Sequence, residues 1–558
     1  MHTYQELADL IFPDVKLTIA DLEKKYPERN LPEGAEVTRF APSPTGFLHT
    51  GSLFTAMISS KAAWQSKGVF FMRLEDTDQK REIAGSGNDL IDQMKIFGIS
   101  PDEGYMGDKN PQKGEYGPYI QSEREDIYRI CIKDLMSKGR AYPCFCTPDD
   151  LNMLRMTQEA NRVIPGYYGE YAKCRYLTVD EAYEKVKGGD KFVIRFKSLG
   201  NHNNYIKVHD EVRGDLNLTE NDQDIVVMKS DGLPTYHFAH VCDDHFMRTT
   251  LVTRGEEWIS SLAIHVELFA AMGFKAPKYA HLPVIMKLDN GNKRKLSKRK
   301  DPEAAVSYFI EQGYPAEALI KYLMTIANSN FEEWLIQNPN EDISKFTFSF
   351  NKMSLDGALF DIAKIENISK DTLAYYTKEK ISSEAKKWAD KYDLKLAGLI
   401  SRDYSKFEAI MNIERGQEKP RKDYVKYSDI YSHIRFFYND QFDQMLKETP
   451  VLPFSQFISK EDIISILKDI KSTTDYSLDQ TAWFDSLKAL GVKHGFAESF
   501  KIYKKDKEHF KGHVGDVASI LRIALTTSAQ SPNLYDVIHI LPKGEIDRRI
   551  DSVLILFK

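Results

Sequence analysis

Residues 52–67 place Leu53, Phe54, Met57, Ile58 and Ala62 on one face, the three- and four-residue spacing of an α-helix. Gly68 follows as a C-cap. Val69 to Leu74 is then an unbroken apolar run, the pattern of a strand buried on both faces. Upstream, Val37-Thr38-Arg39-Phe40 starts a short strand. The loop after it, Ala41-Pro42-Ser43-Pro44-Thr45-Gly46, excludes helix with two prolines and a glycine. Strand, loop, helix and strand in that order predict the opening unit of a doubly wound parallel α/β sheet.

Residues 142–224 break this pattern with cysteines, tyrosines and polar turns, and read as an insertion. Apolar runs resume at Asp224-Ile225-Val226-Val227-Met228 and Thr250-Leu251-Val252, so the sheet is expected to be split in sequence. From about residue 301 the pattern is helical. One example is Ser459 to Ile470, where Ser459 and Asp462 form a capping-box pair ahead of Ile463, Ile464, Ile466, Leu467 and Ile470. The expected segments are an N-terminal extension (1–33, closed by Pro27 and Pro32), two sheet halves (34–141 and 225–300) around the insertion (142–224), and helical regions at 301–395 and 396–558.

Length and composition narrow the class. At about 100–200 residues per domain, 558 residues make three to five domains. With 42% hydrophobic and 12% aromatic residues, the chain has ample core, which excludes disordered and collagen-like classes. Its net charge of −6 confines any nucleic-acid surface to a local patch. No apolar run reaches the ~18 residues of a membrane span, and Met1-His2-Thr3-Tyr4-Gln5-Glu6 lacks a basic-then-apolar leader. Five cysteines are too few for a disulfide scaffold, so a reducing cytoplasm is the expectation; a monomer without membrane contact is expected as well.

Two short motifs carry candidate chemistry. His49-Thr50-Gly51-Ser52 stands at the start of the 52–67 helix, where unpaired N–H groups and the dipole favour anions. Gly51 clears space for a ligand and His49 can donate to a phosphate oxygen; a plain capping turn is the alternative. Lys295-Leu296-Ser297-Lys298, within the basic run 293–300, sets two ammonium groups around a hydroxyl, which suits a mobile clamp on a triphosphate. Lys352-Met353-Ser354-Leu355-Asp356 imitates it but lacks the second cation.

An H-x-G-x turn after the first strand and K-L-S-K after the last strands together resemble the class I aminoacyl-tRNA synthetases. Longer motifs narrow the resemblance to the glutamyl-tRNA synthetase family. These are Arg39-Phe40-Ala41-Pro42-Ser43-Pro44-Thr45-Gly46, Leu74-Glu75-Asp76-Thr77-Asp78, Gly117 to Arg124, Leu233-Pro234-Thr235-Tyr236-His237 and Arg254-Gly255-Glu256-Glu257-Trp258. The match runs from about residue 36 to 325. It continues weakly through Gly357-Ala358-Leu359-Phe360-Asp361 to Leu521-Arg522-Ile523-Ala524-Leu525-Thr526.

The resemblance implies a Rossmann-type sheet split by an insertion that binds the tRNA acceptor end. It also implies a stem-contact domain at 301–395 and an anticodon-binding region at 396–558. The implied reaction is ligation of L-glutamate to tRNA(Glu) through a glutamyl-adenylate, with ATP and Mg²⁺, and with tRNA needed for activation. Implied catalytic residues are His49, Gly51, Lys295, Ser297 and Lys298. Implied glutamate contacts are Arg39, Ala41, Ser43, Glu75, Tyr236, His240 and Arg254. ATP would meet His49, Gly51, Ser52, Glu257, Leu296 and Lys298, and the tRNA 3′ end Asp78 and Arg81.

The residue chemistry is consistent with this. A guanidinium such as Arg39 binds a carboxylate bidentately and would favour glutamate over glutamine. Glu75, at the end of the apolar strand, can accept from an ammonium; a Mg²⁺ site shared with Asp76 and Asp78 is its alternative. His240 stands where the family commonly has Asn, which could add a titrating group to the pocket. A metal on His240, Cys242 and His245 is disfavoured, since Asp243-Asp244-His245 belongs to the family pattern.

Cys144, Cys146 and Cys174 have the spacing of the family's zinc-bearing members, with Tyr176, Tyr171 or Tyr168 as the fourth ligand; a degenerate, metal-free site is the alternative. Cys131 and Cys242 read as core. Three rival functions are glutaminyl-tRNA synthetase, a glutamyl transferase acting on a tRNA base, and an inactive tRNA-binding paralogue. The first usually has Glu-Pro-Asn where this chain has Ser43-Pro44-Thr45, and the second lacks a large C-terminal region. Intact Arg39, His49, Glu75, Lys295 and Lys298 oppose the third. The basic-aromatic stretch Arg421 to Tyr438 is either an RNA contact or ordinary helix.

Overall fold

The protein is described by a computed structural model that covers all residues except Thr45, 78–82, Ala84, Lys298 and Lys558. Two compact units divide it: Met1–Phe309 with Leu319–Ile362, and Ile310–Ala318 with Ala363–Lys558.

In the first unit the chain opens with α1 (Tyr4–Ile11) and α2 (Ile19–Lys25), each started by a capping box, Thr3 with Glu6 and Thr18 with Asp21. Next come β1 (Val37–Phe40), α3 (Thr50–Gln65), β2 (Val69–Met72), α4 (Ser86–Ile96), β3 (Glu103–Gly104) and α5 (Glu125–Ser137). Strands β1, β2 and β3 are parallel neighbours in that order. The extension at 1–33 is built into this unit, because Leu7, Ala8, Phe12, Leu22 and Tyr26 are buried in one core with Ile130, Cys131 and Leu135 of α5. Helix α3 ends at Gln65 with Ser66, not Gly68, as its C-cap, and Lys67 takes the left-handed φ of 59°. Gly68 is required for a different reason: a Cβ there would lie 1.9 Å from the Glu36 carbonyl oxygen.

The chain then forms β4 (Ala141–Cys144), α6 (Pro148–Ala160), α7 (Val179–Lys187), β5 (Val193–Phe196), β6 (Tyr205–Asp210), β7 (Gly214–Thr219) and β8 (Val226–Met228). The apolar run at 224–228 does not resume the parallel sheet. As β8 it pairs antiparallel with β5 in the sheet β4-β5-β8. A short apolar strand is equally suited to either sheet, so composition could not separate them.

A second parallel pair follows, from α8 (Tyr236–Phe246), β9 (Leu251–Gly255), α9 (Leu262–Met272) and β10 (Lys278–Leu282), in a sheet of its own. The Thr250 N–H donates to the Val37 carbonyl at 2.9 Å, which sets the start of β9 beside β1. Strand β10 runs parallel to β9, and β6 with its hairpin partner β7 extends that edge. Hairpin β11 (Met286–Asp289) and β12 (Asn292–Lys295) follows.

The second unit is helical. Leu373, Ile381, Trp388, Leu396, Ile400, Phe407, Ile430, Leu467, Leu521 and Ile550 are buried in a single core. Residues 363–395 therefore pack with 396–558, and the boundary expected after 395 is not a break in the core. The helix expected from Ser459 runs Lys460–Thr473, with the Ser459 hydroxyl accepting from the Asp462 N–H. Among the described residues no helix is long and apolar enough to cross a membrane.

Candidate active site

The C-terminal ends of β1, β2 and β9 open into a cleft of about 1160 Å³, the edge of a parallel sheet where ligands bind. Its lining brings together Arg39, Ala41, Ser43, His49, Gly51, Ser52, Glu75, Tyr236, Arg254, Glu257, Lys295 and Leu296. Ser297 and His240 are not part of that lining. Lys298, Asp78 and Arg81 lie outside the described residues.

At one end the charges are buried and mutually held. Arg39 directs Nε between the two Asp244 oxygens, each at 3.2 Å, and Nη1 to the Thr253 carbonyl at 3.4 Å. Arg73, fully buried, donates to Asp244 at 2.7 Å and to Glu75 at 2.9 Å. Burial would raise the Asp244 carboxyl, but Arg39 and Arg73 outweigh it and hold it well below the usual range. Burial wins at Glu75, whose carboxyl is raised even though Arg73 opposes the shift. Asp76 is occupied elsewhere: its carboxylate accepts from the Ser122 N–H and hydroxyl at 2.8 and 2.5 Å. That leaves it a poor partner for Glu75 around a shared metal.

Tyr236 begins α8 and packs against Trp258 with centroids 4.4 Å apart. His240 lies one turn further and is fully buried, its ring parallel to Tyr236 at 6.0 Å. Its Nδ1 sits 2.9 Å from Asp244 and its Nε2 3.2 Å from the Tyr279 hydroxyl. Burial pushes the imidazole down to about 4, so it is neutral near pH 7. His240 is thus neither a wall of the cleft nor a titrating group within it; it lies buried beside Asp244.

Arg254 is 5% exposed and, among the described residues, makes only neutral hydrogen bonds. Its Nε donates to His281 Nε2 at 3.0 Å, its Nη1 to His265 Nδ1 at 3.1 Å and its Nη2 to the Trp258 carbonyl at 3.4 Å.

The other end is open. His49 is the N-cap of α3, and its Nδ1 accepts from the Gly51 N–H at 2.9 Å, which leaves the ring proton on Nε2. The capping turn is thus observed, and it leaves the Nε2 side of the ring out of the cap. The Thr50 hydroxyl donates to the Glu303 carbonyl at 2.9 Å, tying the helix start to the segment after the lysine loop. Lys295 Nζ lies 3.2 Å from Glu257. The loop itself is anchored by Asp301, which accepts from Arg294 at 2.6 and 2.8 Å and from the Ser297 N–H at 2.9 Å. These bonds, Arg294 first, hold the Asp301 carboxyl well below its usual value. The Ser297 backbone thus serves the loop turn.

Sequence reasoning missed Arg73, Asp244, Asp301, Asp210 and the histidines 265 and 281. Arg73 directly precedes the L-E-D-T-D motif, and Asp244 lies in the D-D-H pattern, so both were within reach.

A second cluster lies in the insertion. The Cys144, Cys146 and Cys174 sulfurs lie within 4.8 Å of one another. The fourth group there is Tyr167, whose hydroxyl is 3.4 Å from Cys144 Sγ and 3.3 Å from Cys146 Sγ. Tyr176 is 65% exposed, and Tyr168 donates to the Ile164 carbonyl at 2.6 Å. Tyr171 packs edge-on against Tyr168 at 5.7 Å. Tyr167, rather than Tyr176, Tyr171 or Tyr168, is thus the tyrosine whose hydroxyl contacts the sulfurs. Cys131 and Cys242 are fully buried in the core.

Residues 36–367 match the family model for the catalytic domain of class I tRNA synthetases (E and Q), and 419–554 match an anticodon-binding domain. A protein of Clostridium beijerinckii described as glutamate–tRNA ligase is 45% identical over 99% of this chain and 100% of its own length. One of Sorangium cellulosum, so described, is 40% identical over 96% of this chain and 97% of its own. The crystal structure of a glutamate tRNA ligase from Elizabethkingia meningosepticum, in complex with its amino acid, superposes with a TM-score of 0.70 at 27% identity. It covers 94% of this chain and 100% of that one.

Proposed function

The chain belongs to the class I tRNA synthetases of the glutamate and glutamine branch, and from that membership we propose that its cleft ligates L-glutamate to tRNA(Glu). Glutamate attacks the α-phosphate of ATP, giving glutamyl-adenylate and pyrophosphate. The 2′-hydroxyl of the terminal adenosine then takes the glutamyl group and AMP leaves. No protein nucleophile takes part. Catalysis rests on positioning and on stabilising developing charge. Magnesium enters with ATP, as class I synthetases generally use it.

The observation that carries this reading is a single cleft with two chemically distinct ends. Arg39, Glu75, Tyr236 and Arg254 form an end suited to two carboxylates and an ammonium. Arg39 Nη2 has no protein acceptor among the described residues, which leaves it for the substrate side-chain carboxylate. Glu75 takes the ammonium. The N-terminus of α3 with His49, together with Lys295, forms an end suited to a triphosphate.

The cysteine cluster fits zinc: three thiols converge, and the hydrogen bond between Cys144 and Cys174 lowers the first thiol while raising the second. Cys144, Cys146, Cys174 and Tyr167 would hold it. Bound zinc would supply no chemistry beyond fixing the fold of the insertion. The second unit would bind the anticodon stem, and the insertion the acceptor end.

The test is exchange of pyrophosphate into ATP by purified protein. Glutamate should stimulate it, strongly only with tRNA(Glu) present. Stimulation by glutamine instead would move the enzyme to the glutaminyl branch.

A further inference from the structure

Arg39 and Arg73 both face Asp244, whereas Arg254 has no carboxylate in ion-pairing reach among the described residues. Its charge is left whole at the amino-acid end of the cleft, and the question is what holds it there. A guanidinium only donates hydrogen bonds. His281 must therefore present a bare Nε2 to Arg254 and carry its proton on Nδ1. Asp210 enforces that choice. Its Oδ2 lies 2.6 Å from His281 Nδ1 and accepts from the His281 backbone N–H at 3.1 Å. Its Oδ1 accepts from the N–H groups of Val212 and Arg213 at 3.0 and 2.9 Å, which pins the carboxylate. Asp210 and His281 are fully buried, and His281 is the register neighbour of Arg254 across β10 and β9.

We infer that Asp210 and His281 form a positioning dyad that sets the tautomer His281 offers to Arg254, and so holds the guanidinium in place for a substrate carboxylate. This rests on the proposed function of the cleft. Asp210 comes from β6, within the stretch expected to be an insertion, so that stretch shapes the amino-acid end as well. His265 supports the second guanidinium nitrogen in the same way: its Nδ1 faces Arg254, and its Nε2 is 2.9 Å from His237 Nδ1.

The test separates tautomer from bulk. Asp210→Asn preserves size but places an amide donor against His281. That turns the ring's proton to Nε2, where it meets the Arg254 N–H. His281→Ala removes the acceptor; His281→Gln restores one acceptor and one donor. Pyrophosphate exchange with tRNA gives KM for glutamate and for ATP. Asp210→Asn and His281→Ala should raise KM for glutamate about tenfold or more, with KM for ATP within about threefold of wild type. His281→Gln should recover most of the loss. Equal rises in both KM values, or a His281→Gln no better than His281→Ala, would overturn the dyad. Should Asp210→Asn fail to fold, the two His281 variants decide it. Wild-type protein inactive with glutamate in the same assay would instead sink the functional reading.

Discussion

At the amino-acid end of the cleft the charged side chains of Arg39, Arg73, Glu75 and Arg254 are buried and gripped by others, Arg39 and Arg73 by Asp244, Glu75 by Arg73, and Arg254 by imidazoles. At the nucleotide end Lys295 is 59% exposed and its partner Glu257 49%. The first end is dry and preorganised, so its charges act at low effective dielectric and discriminate. The second is wet, and the charges of ATP and magnesium would complete it. Selectivity among amino acids needs the former, while admitting and releasing a polyanion needs the latter.

Removing a charge from the dry end should have the largest effect. Arg39→Ala leaves a substrate carboxylate desolvated, and breaking a buried pair costs about 3–5 kcal/mol, roughly 10²–10⁴-fold in kcat/KM. Glutamine, being neutral, should lose much less, and Arg39→Lys should fall between. The measurement is kcat/KM for both amino acids. Equal losses would assign Arg39 to a group the two share and pass the side-chain role to Arg254.

Acid should attack the dry end next. Folded His240 stays unprotonated down to about 4, while an unfolded imidazole takes a proton near 6.5. Across that window the unfolded state binds more protons, so stability falls as pH falls, by about 1.4 kcal/mol per unit for each such histidine. Burial also lowers His237, His265 and His281, which steepens the slope. Denaturant melts between pH 4.5 and 7.5 should show it, and His240→Asn should flatten the curve by about one proton. An unchanged slope would mean that His240 is charged or wet.

At the wet end, Lys295→Ala should lower kcat by about 10²-fold, the usual loss for one charge donor, with little change in melting temperature. A large drop in melting temperature would make this end structural too. The insertion gives a third case: Cys144→Ser should abolish zinc content, and Tyr167→Phe should weaken retention against a chelator. Charging of tRNA should suffer more than pyrophosphate exchange in its presence. Metal analysis that finds none in wild-type protein would mark the site as degenerate.

What could be read from the chain follows the same division by range. His49, Gly51, Lys295, Arg39 and Glu75 announce themselves within short motifs, because a helix start, a loop or a strand end is local. The network behind them is not local: Arg39 and Asp244 are 205 residues apart, Arg73 and Asp244 are 171, and His281 and Asp210 are 71. No pattern of polar and apolar residues encodes such pairings. Tyr167 was missed because spacing near Cys174 favoured Tyr176, whereas the chain folds back to bring Tyr167 under the sulfurs. His240 reads as a pocket residue by position, but one helical turn beyond Tyr236 carries it into the core.

The smallest expected effect is the most direct test of how wet the nucleotide end is. Glu257 and Lys295 form an ion pair at 3.2 Å with both side chains about half exposed. Such pairs contribute about 0–1 kcal/mol, because water screens the attraction and two long side chains lose freedom. Glu257→Gln should therefore leave the unfolding free energy within about 0.5 kcal/mol of wild type. Its effect on ATP should also be slight and favourable, since a carboxylate on the cleft wall repels a triphosphate and holds Lys295 back from it. A fall in KM for ATP of about two- to threefold corresponds to the worth of one exposed pair, and it should shrink as salt is added. A rise of tenfold would show Glu257 binding the nucleotide itself. A loss of stability above about 1 kcal/mol would show that this end is as pre-built as the one around Arg39.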